Sequence, residues 1–198
     1  EGPKAGGHIG FKTEQIDNPD FTLEKLITEV IEAVKPFEKQ CGKSIPVIPA
    51  GGIYSGQDIH KFIGLGAAGV QMGTRFVATR EAPVHDNVKQ ALISHGERDT
   101  RLIMRTLRNT ERVLHNQTVD KVLEIEGRGN TKIEDIVPYV SGLVGQEMLQ
   151  DGQMDKGVLS AGQSMGFIHD IPTCRELLDR IMTQAEEIIK DKFAQTIL

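Results

Sequence analysis

Residues 64–74 read GLGAAGVQMGT, and the first six match G-x-G-x-x-G letter for letter. In a dinucleotide-binding turn, that pattern leaves a strand and enters a helix, whose N-terminus then meets the pyrophosphate. The flanking sequence here runs in the opposite order. Upstream, Ser55-Gly56-Gln57-Asp58 reads as a capping box with Asp in place of Glu, and it opens a helix bearing Ile59, Phe62 and Ile63. Downstream, AGVQM at 68–72 has the short apolar character of a buried strand. Gly64 and Gly66 are therefore a helix stop and a tight turn into a strand.

Outward from that turn, SIPVIPAGGI at 44–53 supplies another short apolar run, 45–50, closed by Gly51-Gly52. A strand apolar on both faces belongs in a covered parallel sheet, although Pro46 and Pro49 each remove a ladder donor. Ser44 to Thr74 thus forms one strand–helix–strand unit of the ~30 residues that a parallel crossover needs. It places Gly51-Gly52 and Gly73-Thr74 at the carboxyl ends of neighbouring parallel strands. Glycine lets backbone N–H groups approach an anion closely, Thr74 adds a hydroxyl, and a following helix N-terminus adds partial positive charge. Phosphate is the ligand this pattern suits. The competing reading is a pair of tight turns with no ligand.

With 23 basic against 28 acidic residues, the net charge of −5 argues against a polyanion such as nucleic acid but allows a small anion at a local site. The 198 residues suffice for one domain with a sizeable core. No run approaches the ~18–20 apolar residues of a membrane helix. Cys41 and Cys174 lie far apart, outside any metal-ligand spacing, so no metal site is expected. With no secretory leader in view, the expected location is the cytoplasm.

The glycine-rich residues 1–12 read as irregular. Leu23, Leu26, Ile27, Val30, Ile31 and Val34 keep helical spacing, with Pro36 and Gly42 as the stop. Thr100 to His115 carries Arg101, Arg105, Arg108 and Arg112 at helical spacing, either as a solvated face or as a surface for an anionic substrate or partner. Thr131-Lys132-Ile133-Glu134 and Thr173-Cys174-Arg175-Glu176 fit capping boxes. The second opens a final helix with Leu177, Leu178, Ile181, Met182, Ala185, Ile188 and Ile189 on one face. SAGQSMG at 160–166 is another glycine-rich loop. His8, in AGGHIG, has little side-chain cover in so bare a stretch, and its ordinary pKa of ~6.5 suits proton transfer or stabilisation of a forming anion. The competing reading is a histidine that merely packs. Neither a G-x-S-x-G elbow nor a Walker A lysine occurs.

EGPKAGGHIG, IPVIPAGGI, GVQMGTRF and AGQSMG, in this order and at these separations, closely resemble the nitronate monooxygenase (2-nitropropane dioxygenase) family. The related FMN-dependent enoyl-acyl-carrier-protein reductases share the set. The resemblance implies an α/β fold: the C-terminal portion of a TIM barrel, with strands 7 and 8 and their helices, plus a helical insertion and a C-terminal helix. Residues 1–80 would be barrel, 81–170 the inserted helical domain with a flavin-edge loop, and 171–198 a helix packing on the barrel. The cofactor implied is FMN, with its phosphate around Gly51, Gly52, Gly73 and Thr74, and Gln71 and Met72 nearby. Gly6 would lie against the flavin, Glu1 at another contact position, and Gln163 in the loop closing over the flavin edge. His8 matches the family's active-site histidine. The reaction implied is oxidation of an alkyl nitronate or nitroalkane with electrons passing to flavin and then O2. A homo-oligomer is allowed, and neither nucleic acid nor membrane is expected as a partner. The alternatives are an enoyl reductase using NAD(P)H and a non-catalytic FMN- or phosphate-binding module. A TIM barrel takes eight strands and ~250 residues, so the chain reads as a piece that cannot close a barrel alone.

Overall fold

The computed structural model describes residues 1–196. The chain is α/β. Its one sheet has three short antiparallel strands in the order β1-β3-β2, comprising β1 (Gly7–His8), β2 (Thr100–Ile103) and β3 (Glu111–Leu114). The helices are α1 (Leu23–Cys41), α2 (Gly56–Gly64), α3 (Thr74–Val77), α4 (Asp86–Ser94), α5 (Gln117–Gly127), α6 (Ile133–Val140), α7 (Gly142–Asp151) and α8 (Cys174–Thr196).

The strand–helix–strand unit forms, but with less sheet than its sequence suggests. Residues 45–50 and 68–72 run parallel and share a single bridge, Ala50 to Gln71. Two further bonds, Ala68 N–H to the Val47 carbonyl (2.9 Å) and Gln71 N–H to the Pro49 carbonyl (2.9 Å), hold the pair. The reason is local. Pro46 and Pro49 cannot donate, and among the described residues no third strand lies alongside to satisfy the outer edges. Ile48 is left 54% exposed. Between the two runs, α2 begins as expected: the Ser55 and Asp58 side chains each accept the other's backbone N–H, at 3.3 and 3.1 Å. It stops at Gly64, and Gly66 takes φ +96° to turn the chain into residues 68–72.

Four other expectations are corrected. Pro36 lies inside α1, which continues more than a turn further to Cys41 and ends at left-handed Gly42 (φ 67°); at an exposed position, one lost backbone bond does not stop the helix. The arginines of 101–112 sit on the β2–β3 hairpin, where β2 pairs residue for residue with β3. β-branched and apolar positions facing α5 and α6 outweigh the coincidental four-residue spacing. Gly7 and His8 form an edge strand on β3 rather than a bare loop, pairing with Arg112 and Glu111. This pairing joins residues on both sides of the expected boundary at 80/81. At the N-terminus of α6 the N-cap is Lys132 rather than Thr131, and only half of a box remains, with Lys132 N–H donating to Asp135 Oδ2 at 2.8 Å.

The core has three parts. β2, β3, α5 and α6 bury Ile103, Val113, Val119, Val122 and Ile136. α4, α7 and residues 159–168 bury Val88, Leu92, Met148, Met165 and Ile168. α1 and α2 enclose Leu23, Ile27, Ile53 and Phe62. α8 opens on the Thr173–Glu176 box and buries Leu177, Ile181 and Ala185, but Leu178, Met182 and Ile189 of the same expected face are exposed.

α8 is also tied down electrostatically. The buried Arg75 guanidinium donates to Asp170 Oδ1 at 2.7 Å, and Arg180 donates to Oδ2 at 2.7 Å. Burial pushes the Asp170 carboxyl up, but hydrogen bonding to Arg180 and the charges of Arg75 and Arg180 outweigh it and hold it below its ordinary value. A carboxylate depressed in the folded state contributes stability above its unfolded pKa of ~3.9 and loses it as pH falls through the folded value. Asp170→Asn is therefore expected to melt below the parent at pH 6–8. That gap should close only under acid, below about pH 3.9. A constant gap between pH 7 and pH 2.5 would assign the loss to packing instead.

Candidate functional site

Four stretches far apart in sequence meet at the carboxyl ends of the two parallel segments. Gly2 N–H donates to the Ala50 carbonyl (2.8 Å), Gly162 N–H to Thr74 Oγ1 (3.0 Å), and Gln163 N–H to the Lys4 carbonyl (3.0 Å). The approach is close enough to exclude side chains. A Cβ on Gly6 would stand 2.4 Å from the Ala161 and Gly162 backbone. Gly51 and Gly52 adopt φ +95° and +80°, and a Cβ on Gly51 would stand 2.8 Å from the Ala5 Cβ. Glycine is needed at these positions by the backbone itself.

The junction encloses a cleft of about 270 Å³. Seven of the ten residues singled out from sequence line it: Glu1, Gly6, Gly51, Gly52, Gln71, Gly73 and Thr74. Ser160, Gly162 and Ser164 line it too. Met72 does not, because its side chain packs on the α1–α2 core with Phe62 and Ala67. Gln163 lines an adjoining cleft of about 460 Å³ across the Gly51-Gly52 turn. There Tyr54 and Phe167 stack with ring centroids 4.6 Å apart and planes 4° from parallel.

The cleft suits an anion. Among the described residues, the N–H groups of Gly52, Gly73 and Thr74 donate to no protein acceptor, while Gly51 follows the parallel bridge of Ala50 with Gln71. Thr74 Oγ1 accepts from Gly162, which leaves its own O–H to donate. Ser164, only 4% exposed, reaches both clefts with a hydroxyl that makes no hydrogen bond among the described residues. Nothing lies within 4 Å of a Cβ on Gly73, so a side chain there would enter open space beside the unpaired donors. These residues fit the phosphate end of FMN. Gly73→Val should accordingly fold with a near-parental melting temperature and retain less than a tenth of the parent's flavin at equal free FMN. Parental flavin content in that variant would remove Gly73 from the phosphate contacts.

His8 lies next along β1 from Gly7. Its ring is 57% exposed, with Nδ1 4.0 Å from Glu111 Oε2 on β3. The Glu111 carboxylate is buried, and Ser160 Oγ–H donates to its other oxygen at 2.6 Å. A buried carboxylate thus stands directly behind an exposed imidazole. Neither Glu111 nor Ser160 was legible as a site residue from sequence. The neighbouring Arg112 is buried and crosses beneath the junction, donating to Thr100 Oγ1 (3.1 Å) and the Pro3 carbonyl (3.0 Å), while its Nε has no partner. Burial pushes the Arg112 guanidinium below its ordinary value, against the opposing pull of Asp17.

The chain is similar to several known proteins. The chain is 28% identical to a probable nitronate monooxygenase of Staphylococcus haemolyticus, covering 96% of this chain and 50% of that protein. It is also 28% identical to the (3aS,4S,5R,7aS)-5-hydroxy-7a-methyl-1-oxo-octahydro-1H-indene-4-carboxyl-CoA dehydrogenase of Rhodococcus jostii, covering 93% of this chain and 57% of the relative. Among solved structures, FabK from Thermotoga maritima superposes with a TM-score of 0.80 at 29% identity, over 98% of this chain and 55% of that one. Nitroalkane oxidase from Streptomyces ansochromogenes superposes at 0.72 with 27% identity, over 96% and 51%. The chain thus spans about half the length of the relatives it matches. The nitronate monooxygenase family model matches residues 1–184, which takes in His8, both glycine turns and the 160–166 loop. On that match the chain belongs to the nitronate monooxygenase family.

Proposed function

We propose that the whole protein is an FMN-dependent oxidoreductase that oxidises alkyl nitronates with O2. The observation that carries the reading is the pairing of an unsatisfied backbone cradle with an exposed histidine backed by a buried carboxylate. Gly51, Gly52, Gly73 and Thr74 would hold the FMN phosphate, with Gly6, Gln71 and Glu1 along the cleft wall. When bound, FMN supplies the redox chemistry, and the chain supplies position and electrostatics. A nitronate arrives with its negative charge already on the nitro oxygens. His8 donates a hydrogen bond to that charge, a contact worth roughly 2.7–4 kcal/mol when well placed. For a neutral nitroalkane, the same ring takes the proton from the carbon bearing the nitro group, and Glu111 stabilises the imidazolium that forms. Residues 45–50 and 68–72 are read as the last two strands of a TIM barrel, which agrees with the chain's half-length span of its relatives.

The second reading is an FMN-dependent enoyl reductase using NAD(P)H, favoured by the likeness to FabK. One preparation separates the two. Denaturing the purified whole protein should release FMN, and anaerobic nitronate should bleach the flavin spectrum. Bleaching by NADH or NADPH alone would transfer the assignment to the reductase. A flavin that neither reduces would make the protein a binding module, and release of NAD, or no flavin after reconstitution, would end the FMN reading.

A further inference from the structure

Arg112 has no part in the chemistry at His8, and its bonds do not account for its burial. The residue is only 6% exposed. Its terminal nitrogens donate to Thr100 Oγ1 and the Pro3 carbonyl, both uncharged. Nε is shut off from solvent and has no partner among the described residues. No carboxylate among those residues stands within 4.0 Å of the guanidinium. Asp17, exposed at the surface, acts on it only from farther away. A guanidinium stays charged in proteins, and taking a charge out of water with no opposite charge beside it is costly. An apolar side chain of similar length would fill the position without that cost.

The charge sits behind the glycine cradle. Arg112 lies on the central strand, paired with Gly7 on one side and Leu102 on the other, and its carbonyl accepts from Ala161 N–H at 3.4 Å. Gly6 and Gly162, the chain neighbours of Gly7 and Ala161, line the cradle cleft. The guanidinium end holds Pro3 inside the tight turn that Ala5 N–H closes on the Gly2 carbonyl (3.1 Å), and Ala5 lines the same cleft. No Lys, Arg or His among the described residues lines that cleft, whereas Glu1 brings a carboxylate to it. Lys4 is exposed and lines the adjoining cleft instead. An anion held by the N–H groups of Gly52, Gly73 and Thr74 therefore meets neutral donors only. One turn of backbone separates its cleft from an unneutralised positive charge. In surroundings of low dielectric, such a charge acts well beyond contact distance.

We infer that Arg112 is the buried counter-charge of the cradle, and that it makes the site prefer a phosphate monoester to the same ligand without its phosphate. It is a positioning charge that works through the field it sets across residues 3–6. The inference rests on the flavin reading for the identity of the ligand pair, FMN against riboflavin, but not for the charge that is favoured.

The test is fluorescence titration of the ligand-free whole protein with FMN and with riboflavin, beside melting curves with and without inorganic phosphate. Arg112→Met is expected to weaken FMN by at least about tenfold and riboflavin by less than about twofold. It should also lose the rise in melting temperature that phosphate gives the parent. Without ligand it should melt at or above the parent, because the unpaired charge is gone. Arg112→Lys keeps the charge and should restore most of the preference. Arg112→Gln keeps a donor for the Pro3 carbonyl without the charge. It should match the methionine variant, and it decides the matter if that variant fails to fold. An arginine that only braces the fold predicts a lower melting temperature and equal losses for both flavins, and that result overturns the inference. A parent that binds FMN, with an FMN-to-riboflavin ratio unmoved in the uncharged variants, rejects this inference alone. Stabilisation by phosphate that depends on Arg112, in a parent that binds neither flavin, rejects the flavin reading alone. A parent that responds to neither flavin nor phosphate overturns both.

Discussion

His8→Asn is expected to leave FMN bound and lower nitronate turnover about 100-fold, the usual scale for loss of a positioned acid–base group. Asparagine keeps a donor but cannot carry the proton or the charge. The fold has little stake in the change: the ring is 57% exposed, its one charged contact is the 4.0 Å approach to Glu111, and the strand pairing uses backbone atoms. Flavin should stay because His8 lies outside the cleft formed by Gly51, Gly52, Gly73 and Thr74. With nitroalkane in place of nitronate the loss should be larger, since the proton then has no acceptor. Parental turnover numbers for both substrates, in a variant with parental flavin content, would leave His8 as an exposed edge-strand residue without a catalytic role.

The largest stability effect is expected at Glu126. Truncation to alanine removes the acceptor of three donors at once, Met104 N–H, Thr106 N–H and Thr106 Oγ–H. Leaving a buried donor unpaired costs about 1–3 kcal/mol, and Glu126 is only 8% exposed, so a total of roughly 3–5 kcal/mol is expected. Met104, at left-handed φ 56°, would lose the bond that its N–H makes to Glu126, whereas Arg108 would keep its own N–H bond to the Arg105 carbonyl. Glu126→Gln keeps one acceptor oxygen and should recover about half of the loss. Urea midpoints of the three proteins check this, and equal midpoints for Glu126→Ala and the parent would show that the loop stands without its clamp.

The elements that could be read from sequence are those set by local chemistry. The Ser55–Asp58 and Thr173–Glu176 boxes, the Gly66 turn and the Gly42 stop depend on neighbours within four residues. Gly51, Gly52, Gly73 and Thr74 were legible as one cleft because a parallel crossover returns its two carboxyl ends to the same edge. What was not legible depends on sequence-distant partners. Arg101 to Arg112 has helical spacing, yet Val113 and Leu114 beside Glu111 and Arg112 belong to a strand whose partners lie 8 to 14 residues before and more than 100 before. Glu111 joined the site through that pairing, and no motif marks it. Met72 does not line the cleft because alternation along an irregular segment puts Gln71 and Met72 on opposite sides, one toward the cleft and one toward Phe62.

The junction at the glycine cradle also bears on the order of folding. Gly162 reaches Thr74 across 88 residues, Arg112 reaches Pro3 across 109, and Gln184 reaches Gly56 across 128. Each such closure must be made before it gains anything, whereas α1, α5 and α8 close on neighbours. We expect the cradle to assemble late, after the elements that close on neighbours. A ligand seated there slows unfolding and leaves the refolding rate as it was. Stopped-flow traces with and without FMN would show this as a displaced unfolding limb alone, with the flavin acting as a latch on a structure that has already formed.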